Sequence, residues 1–374
     1  MLLKASRGLH VKKMKGDNKM STYKGLFVRS FQGDTNVYPK PSESLVWTSP
    51  DIIPYGVNVC NDPTTEFLGE NFDKQFSEDI IGDIQNYVYV RGENKSGGLL
   101  NGRMYLYASD STMLLAPSTW ENIRSTKNKE YVQFRATAED RIVCNGDDDG
   151  IFAFRPTKSD GHTCLISRIV TEQHPAPIPD LKDITDFSIF LRTEQSMGFA
   201  QRNLRYVDAF APSHTATEQL SNPFQTAITD AYVVLSLYAL PKDTEIQMTC
   251  SGSRPGCNVE LPRMTITDDT YDNPKSIGRR ITNMPSGFNY PVNVYFWGNG
   301  KTIDYRFKIV IDFLAVFAPD SKAYRYGSPM SDLPLDLLYD DGEVLKKQAI
   351  PGRIDSIGPR QFIRVGSCTY TVKV

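Results

Sequence analysis

Several acidic runs in this sequence could bind a cation. Asp147, Asp148 and Asp149 stand in succession before Gly150 and supply half of the carboxylates that a calcium loop needs. The run lacks the alternating spacing and the distal Glu of an EF-hand. We therefore expect a solvated loop between two strands, with a calcium site as the alternative. The pairs Asp268-Asp269 and Asp340-Asp341 suggest the same chemistry with less support.

A second group combines histidine with cysteine. His162, Cys164 and His174 are spaced His-x-Cys-x9-His. Structural zinc sites usually take four ligands at tighter spacing, and no second cysteine pair accompanies this group. We expect Cys164 to be a small buried hydrophobe in a strand and His162 to cap a turn.

The six cysteines are too few for a disulfide scaffold in a chain of 374 residues. Cys250 and Cys257 flank a turn rich in Gly, Ser and Pro, and they are a disulfide candidate in an oxidising environment. The other four cysteines suggest no partner.

Catalytic motifs are not evident. The sequence contains no Gly-x-Ser-x-Gly elbow, no P-loop and no His-Glu-x-x-His motif. Only four histidines are present, so a general base has few candidates. Carboxylate pairs of the glycosidase type stay open, because no spacing selects one pair over another. The sequence predicts that the protein is not an enzyme.

Composition favours a β-rich globular chain. Charged residues make up 23% and the formal net charge is −2, whereas nucleic-acid-binding domains are typically basic. Aromatic residues reach 11%, with 26 Gly and 23 Pro, which is typical of short strands joined by tight turns. The apolar run at residues 309–317 is interrupted by Asp312 and is far shorter than the roughly 20 residues of a membrane span. We expect no nucleic-acid partner and no transmembrane segment.

Short aromatic and β-branched runs predict a first antiparallel sandwich over residues 23–211, after an irregular lead-in. Its strand candidates are residues 87–91, 103–107, 151–154 and 162–170. Trp120 follows a turn and is expected to anchor the core. Residues 183–191 predict one short helix, with Asp183 as its N-cap.

A second sandwich is predicted over residues 224–318. Residues 212–223 are rich in Ser, Thr and Pro and predict a linker. Five strand candidates follow, at residues 230–238, 245–250, 261–267, 293–297 and 305–311. In the tail, residues 319–374, two runs flank Gly366-Ser367 and predict a terminal hairpin.

The first 22 residues predict a disordered basic leader. Six Lys or Arg side chains lie within the first 20 residues, but the apolar core of a secretory signal is missing. We expect a cytoplasmic protein or one exported without a classical signal, with Met1, Met14 or Met20 as the start. The alternative is a basic arm for nucleic acid or anionic lipid, as in capsid proteins.

Residues 86–91, 117–120, 162–169 and 175–179 together resemble bacterial immunoglobulin-like sandwich domains of secreted, surface or toxin-associated proteins. The resemblance covers residues 86–207 and rests on the strand pattern, the Trp and the Pro break. It implies a fold without an active site. The two-domain layout is also similar to accessory proteins encoded beside bacterial α-pore-forming cytotoxins, which implies co-encoded toxin subunits as partners.

These observations predict an all-β protein of two consecutive antiparallel, immunoglobulin-like β-sandwiches. We expect a non-enzymatic binding or assembly protein, a component or accessory of a bacterial toxin or secreted system. One alternative is a capsid-like or coat-like structural protein. A carbohydrate-binding module or hydrolase is the other, suggested by the abundant Tyr and Trp. We expect functional contacts in the loops at residues 92–99 and 145–150 rather than in the strands.

Overall fold

The computed structural model describes most of the chain and shows an all-β fold. The described residues are 20–41, 46–78, 80–81, 83–110, 114–144, 149–156, 163–208, 213–303, 306–333, 335–340, 343–346 and 359–373. Within these ranges there are two short α-helices, α1 at Pro63–Phe67 and α2 at Ile184–Phe190. Single 3-10 turns lie at Gly69–Asn71, Pro117–Thr119, Glu194–Ser196, Tyr324–Tyr326 and Met330–Asp332.

The first half of the chain forms two facing five-stranded sheets and one small two-stranded sheet. Its strands are β1 Ser21–Thr22, β2 Leu26–Phe27, β3 Val37–Tyr38, β4 Ile52–Pro54, β5 Asn86–Asn94, β6 Leu100–Asp110, β7 Glu121–Ile123, β8 Val132–Ala136, β9 Arg141–Val143, β10 Phe152–Phe154, β11 Thr163–Thr171 and β12 Phe199–Arg202. One five-stranded sheet has the order β10-β5-β2, with β4 and β9 also on β5. The other has the order β12-β11-β6-β7, with β8 also on β6, while β1 pairs with β3.

Alternation of side chains explains why these two sheets face each other. Val88 and Val90 of β5 share one buried cluster with Met104 and Leu106 of β6. In a strand, every second side chain lies on the same face, so each sheet contributes one apolar face to this core. The four strand candidates between residues 87 and 170 are confirmed as β5, β6, β10 and β11.

The second half forms an eight-stranded and a four-stranded sheet. Its strands are β13 Leu204–Asp208, β14 Ser213–Ser221, β15 Ala231–Tyr238, β16 Glu245–Cys250, β17 Leu261–Thr265, β18 Lys275–Ile281, β19 Asn289–Trp297, β20 Lys308–Phe317, β21 Ser328–Pro329, β22 Leu337–Asp340, β23 Glu343–Lys346 and β24 Gln361–Lys373. The larger sheet has the order β13-β24-β20-β15-β18-β22-β23, with β21 also on β24. The smaller sheet has the order β14-β19-β16-β17. Two pairs, β13–β24 and β18–β22, are parallel, so the prediction of purely antiparallel sheets is wrong at these pairs.

Two local predictions in this half are also wrong. The supposed linker contains β14, which pairs with β19 from Ser213 opposite Trp297 to Ser221 opposite Asn289. Its exposed Ser and Thr alternate with buried side chains such as Ala216 and Leu220, and this alternation is a strand signal. The tail does not fold into a hairpin over residues 361–373. It forms the single strand β24, and the Gly366-Ser367 step lies beside a β-bulge instead of a turn.

The predicted helix is confirmed as α2. The Asp183 carboxylate accepts a hydrogen bond from the Asp186 backbone N at 2.9 Å, as an N-cap should. Phe187 and Phe190 are buried in the large core cluster that also contains both sheets of the second half. Trp120 is only half-buried and packs against this cluster, whereas Trp47 is fully buried in it. Trp47 therefore has the anchoring role that the sequence assigned to Trp120.

A buried carboxylate ties the lead-in segment to the first sandwich. Asp51 is fully buried, and its Oδ1 lies 2.6 Å from Arg29 Nη2 and 3.0 Å from Arg91 Nε. Both guanidinium groups lie over the ring of Phe72, at 4.2 and 5.0 Å from its centroid. Arg91 also donates to the backbone carbonyl of Phe67 at 2.8 Å. The lead-in is therefore irregular but firmly attached.

Replacing Asp51 by Asn should destabilise the protein strongly. The substitution leaves the buried Arg91 guanidinium without a carboxylate and Arg29 with only the exposed Asp73, and breaking a buried pair typically costs about 3–5 kcal/mol of unfolding free energy. Urea unfolding monitored by tryptophan fluorescence measures this loss. Asp73→Asn is the matched control, because Asp73 also pairs with Arg29, at 2.7 Å, but its side chain is 70% exposed. Its loss should stay below about 1 kcal/mol. Equal losses for the two variants would contradict the assigned role of Asp51.

Candidate functional site

The described part of the acidic run at residues 147–150 has a structural role. Asp147 and Asp148 lie outside the described residues, so the calcium prediction stays a prediction. Asp149 is buried, which makes the prediction of a solvated loop wrong for this residue. Its Oδ2 accepts a hydrogen bond from the Gln133 backbone N at 2.8 Å, and its carbonyl accepts one from the Ser125 hydroxyl. The hydrogen bond to Gln133 thereby connects Asp149 to the edge strand β8.

A polar cleft of about 700 Å³ opens beside this loop, between the edge strands β8 and β9. Its lining includes Gln133, Arg135, Arg141 and Cys144. The Cys144 thiol is buried and donates to Met104 Sδ at 2.9 Å, and burial raises its pKa far above the usual range. A thiol that stays protonated is a poor nucleophile, so Cys144 offers no chemistry here.

The predicted histidine–cysteine group does not come together as a metal site. His162 lies outside the described residues, and Cys164 is buried, as expected. His174 contacts the ring of Tyr23 at 4.7 Å, and its Nε2 lies 2.8 Å from the Lys24 carbonyl oxygen. In the described part of the chain, no three His, Cys, Asp or Glu side chains are close enough together to hold a metal ion. No helix in those ranges is long and apolar enough to cross a membrane.

Cys250 and Cys257 are both buried and are free thiols in this structure. They lie on either side of a tight turn, in which the Ser253 backbone N donates to the Cys250 carbonyl at 3.0 Å. Burial raises the pKa of both thiols, that of Cys257 to about 11. The disulfide stays a prediction.

The remaining acidic pairs differ in their surroundings. Asp341 lies outside the described residues, and Asp340 ends β22. The loop between β17 and β18 carries Asp268, Asp269 and Asp272, and all three are exposed. Asp268 pairs with Lys275 at 2.8 Å, while Asp269 and Asp272 have no basic partner within the described ranges. We call residues 267–272 the acidic loop.

A surface that the sequence analysis missed lies on the outer side of the sheet of β6, β8 and β11. Arg103 and Tyr105 of β6, Arg135 of β8, Arg168 of β11 and Tyr131 before β8 form what we call the arginine face. Met104 and Leu106 of β6 point into the core. Arg103 and Tyr105 alternate with them along the strand and therefore point outward. The strand register places Tyr105 opposite Arg168. On the other side of β6, Asn101 lies opposite Arg135.

Tyrosine rings hold two of these guanidinium groups in place. Arg103 lies over Tyr131 at 4.7 Å from the ring centroid, and Arg168 over Tyr105 at 5.1 Å. Arg168 Nε also donates to the Ala176 carbonyl at 2.6 Å. Arg103 and Arg135 are exposed, and no carboxylate among the described residues pairs with Arg103, Arg135 or Arg168. Stacked guanidinium groups that keep free N–H donors form a ready site for carboxylates.

Comparisons with known proteins add no functional assignment. No family model and no curated protein matches the sequence. Among solved structures, the chain is similar to the secreted serine protease VesC from Vibrio cholerae, at 8% identity over 62% of this chain and 47% of that chain, with a TM-score of 0.21. It is also similar to AvmM, which catalyses macrocyclization in alchivemycin A biosynthesis (11% identity, 44% of this chain, 83% of that chain, TM-score 0.18). A third similar structure is red sea bream transglutaminase, at 9% identity over 65% of this chain and 28% of that chain, with a TM-score of 0.16.

These similarities are too distant to carry an argument about function. The chain spans about half the length of the protease that it matches. The site must therefore be interpreted from its own geometry, which favours the arginine face over the cleft and over the predicted metal groups.

The buried thiols of Cys250 and Cys257 should react slowly in the folded protein. With a pKa of about 11, the Cys257 thiol is almost fully protonated at about pH 8, and thiolate is the reactive form. We expect alkylation by iodoacetamide only after denaturation, measured by mass spectrometry of the peptide that contains both residues. Recovery of this peptide two hydrogens lighter and unalkylated from denatured, unreduced protein would show the disulfide instead.

Proposed function

We propose that this protein is a non-enzymatic assembly protein whose copies bind one another through the arginine face and the acidic loop. The observation that carries the proposal is a cluster of three arginines that no described carboxylate pairs with. Arg103 and Arg135 are exposed, and tyrosine rings hold the guanidinium groups of Arg103 and the half-buried Arg168 in place. The acidic loop supplies the complementary charge, since Asp269 and Asp272 are exposed and have no basic partner in those ranges. The two patches lie on different halves of the chain.

Charge decides which arrangement of copies is favoured. Two arginine faces repel each other, so a symmetric contact between identical faces costs free energy. Contact between the arginine face of one copy and the acidic loop of the next is attractive and heterologous. Such contacts generate closed rings or shells, or open filaments when the rotation does not close.

Preformed geometry strengthens the contact. A free arginine side chain loses rotamer freedom when it binds, at a cost of roughly 0.5–1.5 kcal/mol per immobilised side chain. Arg103 and Arg168 already lie against Tyr131 and Tyr105, so a large part of this cost is met in the monomer. The face is therefore organised for binding before the partner arrives.

A coat-like structural protein is the second candidate. Two complementary patches on different parts of one chain favour it, because shells and tubes are built from heterologous contacts that repeat from copy to copy. The predicted basic leader is compatible with this role. The alternative of an accessory to a pore-forming toxin rests on the resemblance alone and stays a prediction.

Charge reversal tests the proposed contact. Arg103→Glu with Arg135→Glu, or Asp269→Lys with Asp272→Lys, should each weaken self-association at least about tenfold, because like charges then meet. Mixing the two double variants should restore association, since the reversed charges are again complementary. Sedimentation velocity at about 50 mM salt, where surface charges are weakly screened, measures each sample.

The control reverses two exposed cations outside both patches, Lys182→Glu with Lys322→Glu, and should leave association unchanged. Wild-type protein that stays monomeric at all concentrations would contradict the proposal. So would a mixture of the two double variants that stays dissociated. Electron microscopy of the wild-type assemblies then separates the candidates, because regular shells or tubes favour the coat-like role.

A further inference from the structure

We infer that the outer face of the four-stranded sheet binds a neutral oligosaccharide. This face is independent of the proposed assembly contact and lies on the sheet β14-β19-β16-β17. Its central side chains are Thr215, Gln247, Thr249, Asn293, Tyr295 and Trp297, and we call them the tyrosine–tryptophan face.

Alternation along the strands turns these side chains outward. In β19, the buried residues Val292, Val294 and Phe296 belong to the core cluster. Asn293, Tyr295 and Trp297 alternate with these buried residues along the strand. They therefore lie on the opposite face, and all three are partly exposed. In β16, Ile246 and Met248 are buried in the same way, so Gln247 and Thr249 lie on the outer face.

The strand register places uncharged hydrogen-bonding groups beside the aromatic rings. Tyr295 lies opposite Thr215 on one side and Gln247 on the other. Asn293 lies opposite Thr249, and its Oδ1 accepts a hydrogen bond from the Thr217 hydroxyl at 2.8 Å. Amides and hydroxyls can both donate and accept, which matches the hydroxyl groups of a sugar.

Two aromatic rings complete the surface. The ring centroids of Tyr295 and Trp297 are 6.0 Å apart, and the ring planes are within 17° of parallel. The Arg263 guanidinium lies over one face of the Trp297 ring, 4.0 Å from its centroid, and restrains the indole, so a ligand would contact the Tyr295 ring and the part of the indole that Arg263 does not cover. Aromatic side chains with an apolar body and few rotatable bonds offer contact area at a low entropy cost. The C–H face of a pyranose ring is the apolar group that fits such a surface.

Charge on this face argues for a neutral ligand. Arg263 Nη2 pairs with Glu245 Oε2 at 2.6 Å, so the two charges beside Trp297 offset each other. The other named side chains are uncharged. An acidic or basic ligand would lose hydration here without gaining an unpaired opposite charge, whereas a neutral sugar exchanges its water for hydroxyl and amide partners.

Binding of defined sugars to the full-length protein tests the inference. The probes are cellohexaose, laminarihexaose, mannohexaose and chitohexaose, titrated in a calorimeter. We expect at least one to bind, with affinity unchanged between about 50 and 500 mM salt because no net charge is involved. Trp297→Ala and Tyr295→Ala should each weaken binding by about tenfold or more, as expected for a central aromatic contact.

Matched variants separate loss of the site from loss of the fold. Tyr339→Ala removes a partly exposed tyrosine that also contacts an arginine, Arg279, but lies on the eight-stranded sheet, and it should bind like wild type. Gln247→Ala removes a single surface amide, should keep the wild-type circular dichroism spectrum, and should weaken binding several-fold.

Three results would overturn the inference. The first is no binding of any of the four hexasaccharides at millimolar concentration. The second is wild-type affinity in folded Trp297→Ala or Gln247→Ala protein. The third is binding only of an acidic polysaccharide such as heparin that salt abolishes, which would place the ligand on the arginine face. Failure of self-association would leave this inference untouched.

Discussion

The pairing of β24 with β20 is the constraint on which the rest of the structure depends. Its register runs from Lys308 opposite Thr371 to Phe317 opposite Gln361. On its other side β24 pairs in parallel with β13, and the Asn203 side-chain amide donates to the Ser367 carbonyl. The strand β24 thereby lies between β13, which directly follows the first half, and β20 in the centre of the large sheet.

One buried and one partly exposed ion pair connect this strand to its neighbours. Arg364 of β24 pairs with Asp312 of β20 at 3.0 Å, and Arg360 pairs with Asp230 at the start of β15. Burial raises the pKa of Asp312, and the Arg364 guanidinium acts in the opposite direction. Replacing such pairs with apolar residues often costs little, whereas removing one partner of a buried pair leaves an uncompensated charge. Position 312 is also where the apolar run at residues 309–317 is interrupted.

Much of this architecture could be predicted from local patterns, and the errors have a common cause. The strands between residues 87 and 170 and the Asp183 cap are encoded by neighbouring residues. The composition of β14, which is rich in Ser and Thr, predicts a linker. The spacing of its buried residues, such as Ala216 and Leu220, predicts a strand, and the spacing is the correct guide here. The residues that β24 pairs with lie 44 to 63 positions away in β20 and 165 positions away in β13, and no local pattern reveals such partners.

The candidate surfaces were harder to predict than the strands. Tyr105 and Arg168 become neighbours only after β6 and β11 pair, and each of these strands contains a single arginine, so neither strand alone shows the cluster. The loops at residues 92–99 and 145–150 were the expected functional sites. In the described residues, Asn94 donates to the Gly98 carbonyl at 2.7 Å and Asp149 is buried, so these two side chains stabilise the loops, and the functional role of the loops stays a prediction.

The central claim is that copies of this chain associate through complementary charge. Sedimentation velocity of the unmodified protein across a salt series tests it most directly, because exposed charges separated by more than about 10 Å are largely screened at about 0.1 M salt. We expect large species at about 50 mM salt that dissociate reversibly towards monomer at about 500 mM. A monomer at both concentrations, or assemblies that grow as salt increases, would contradict it.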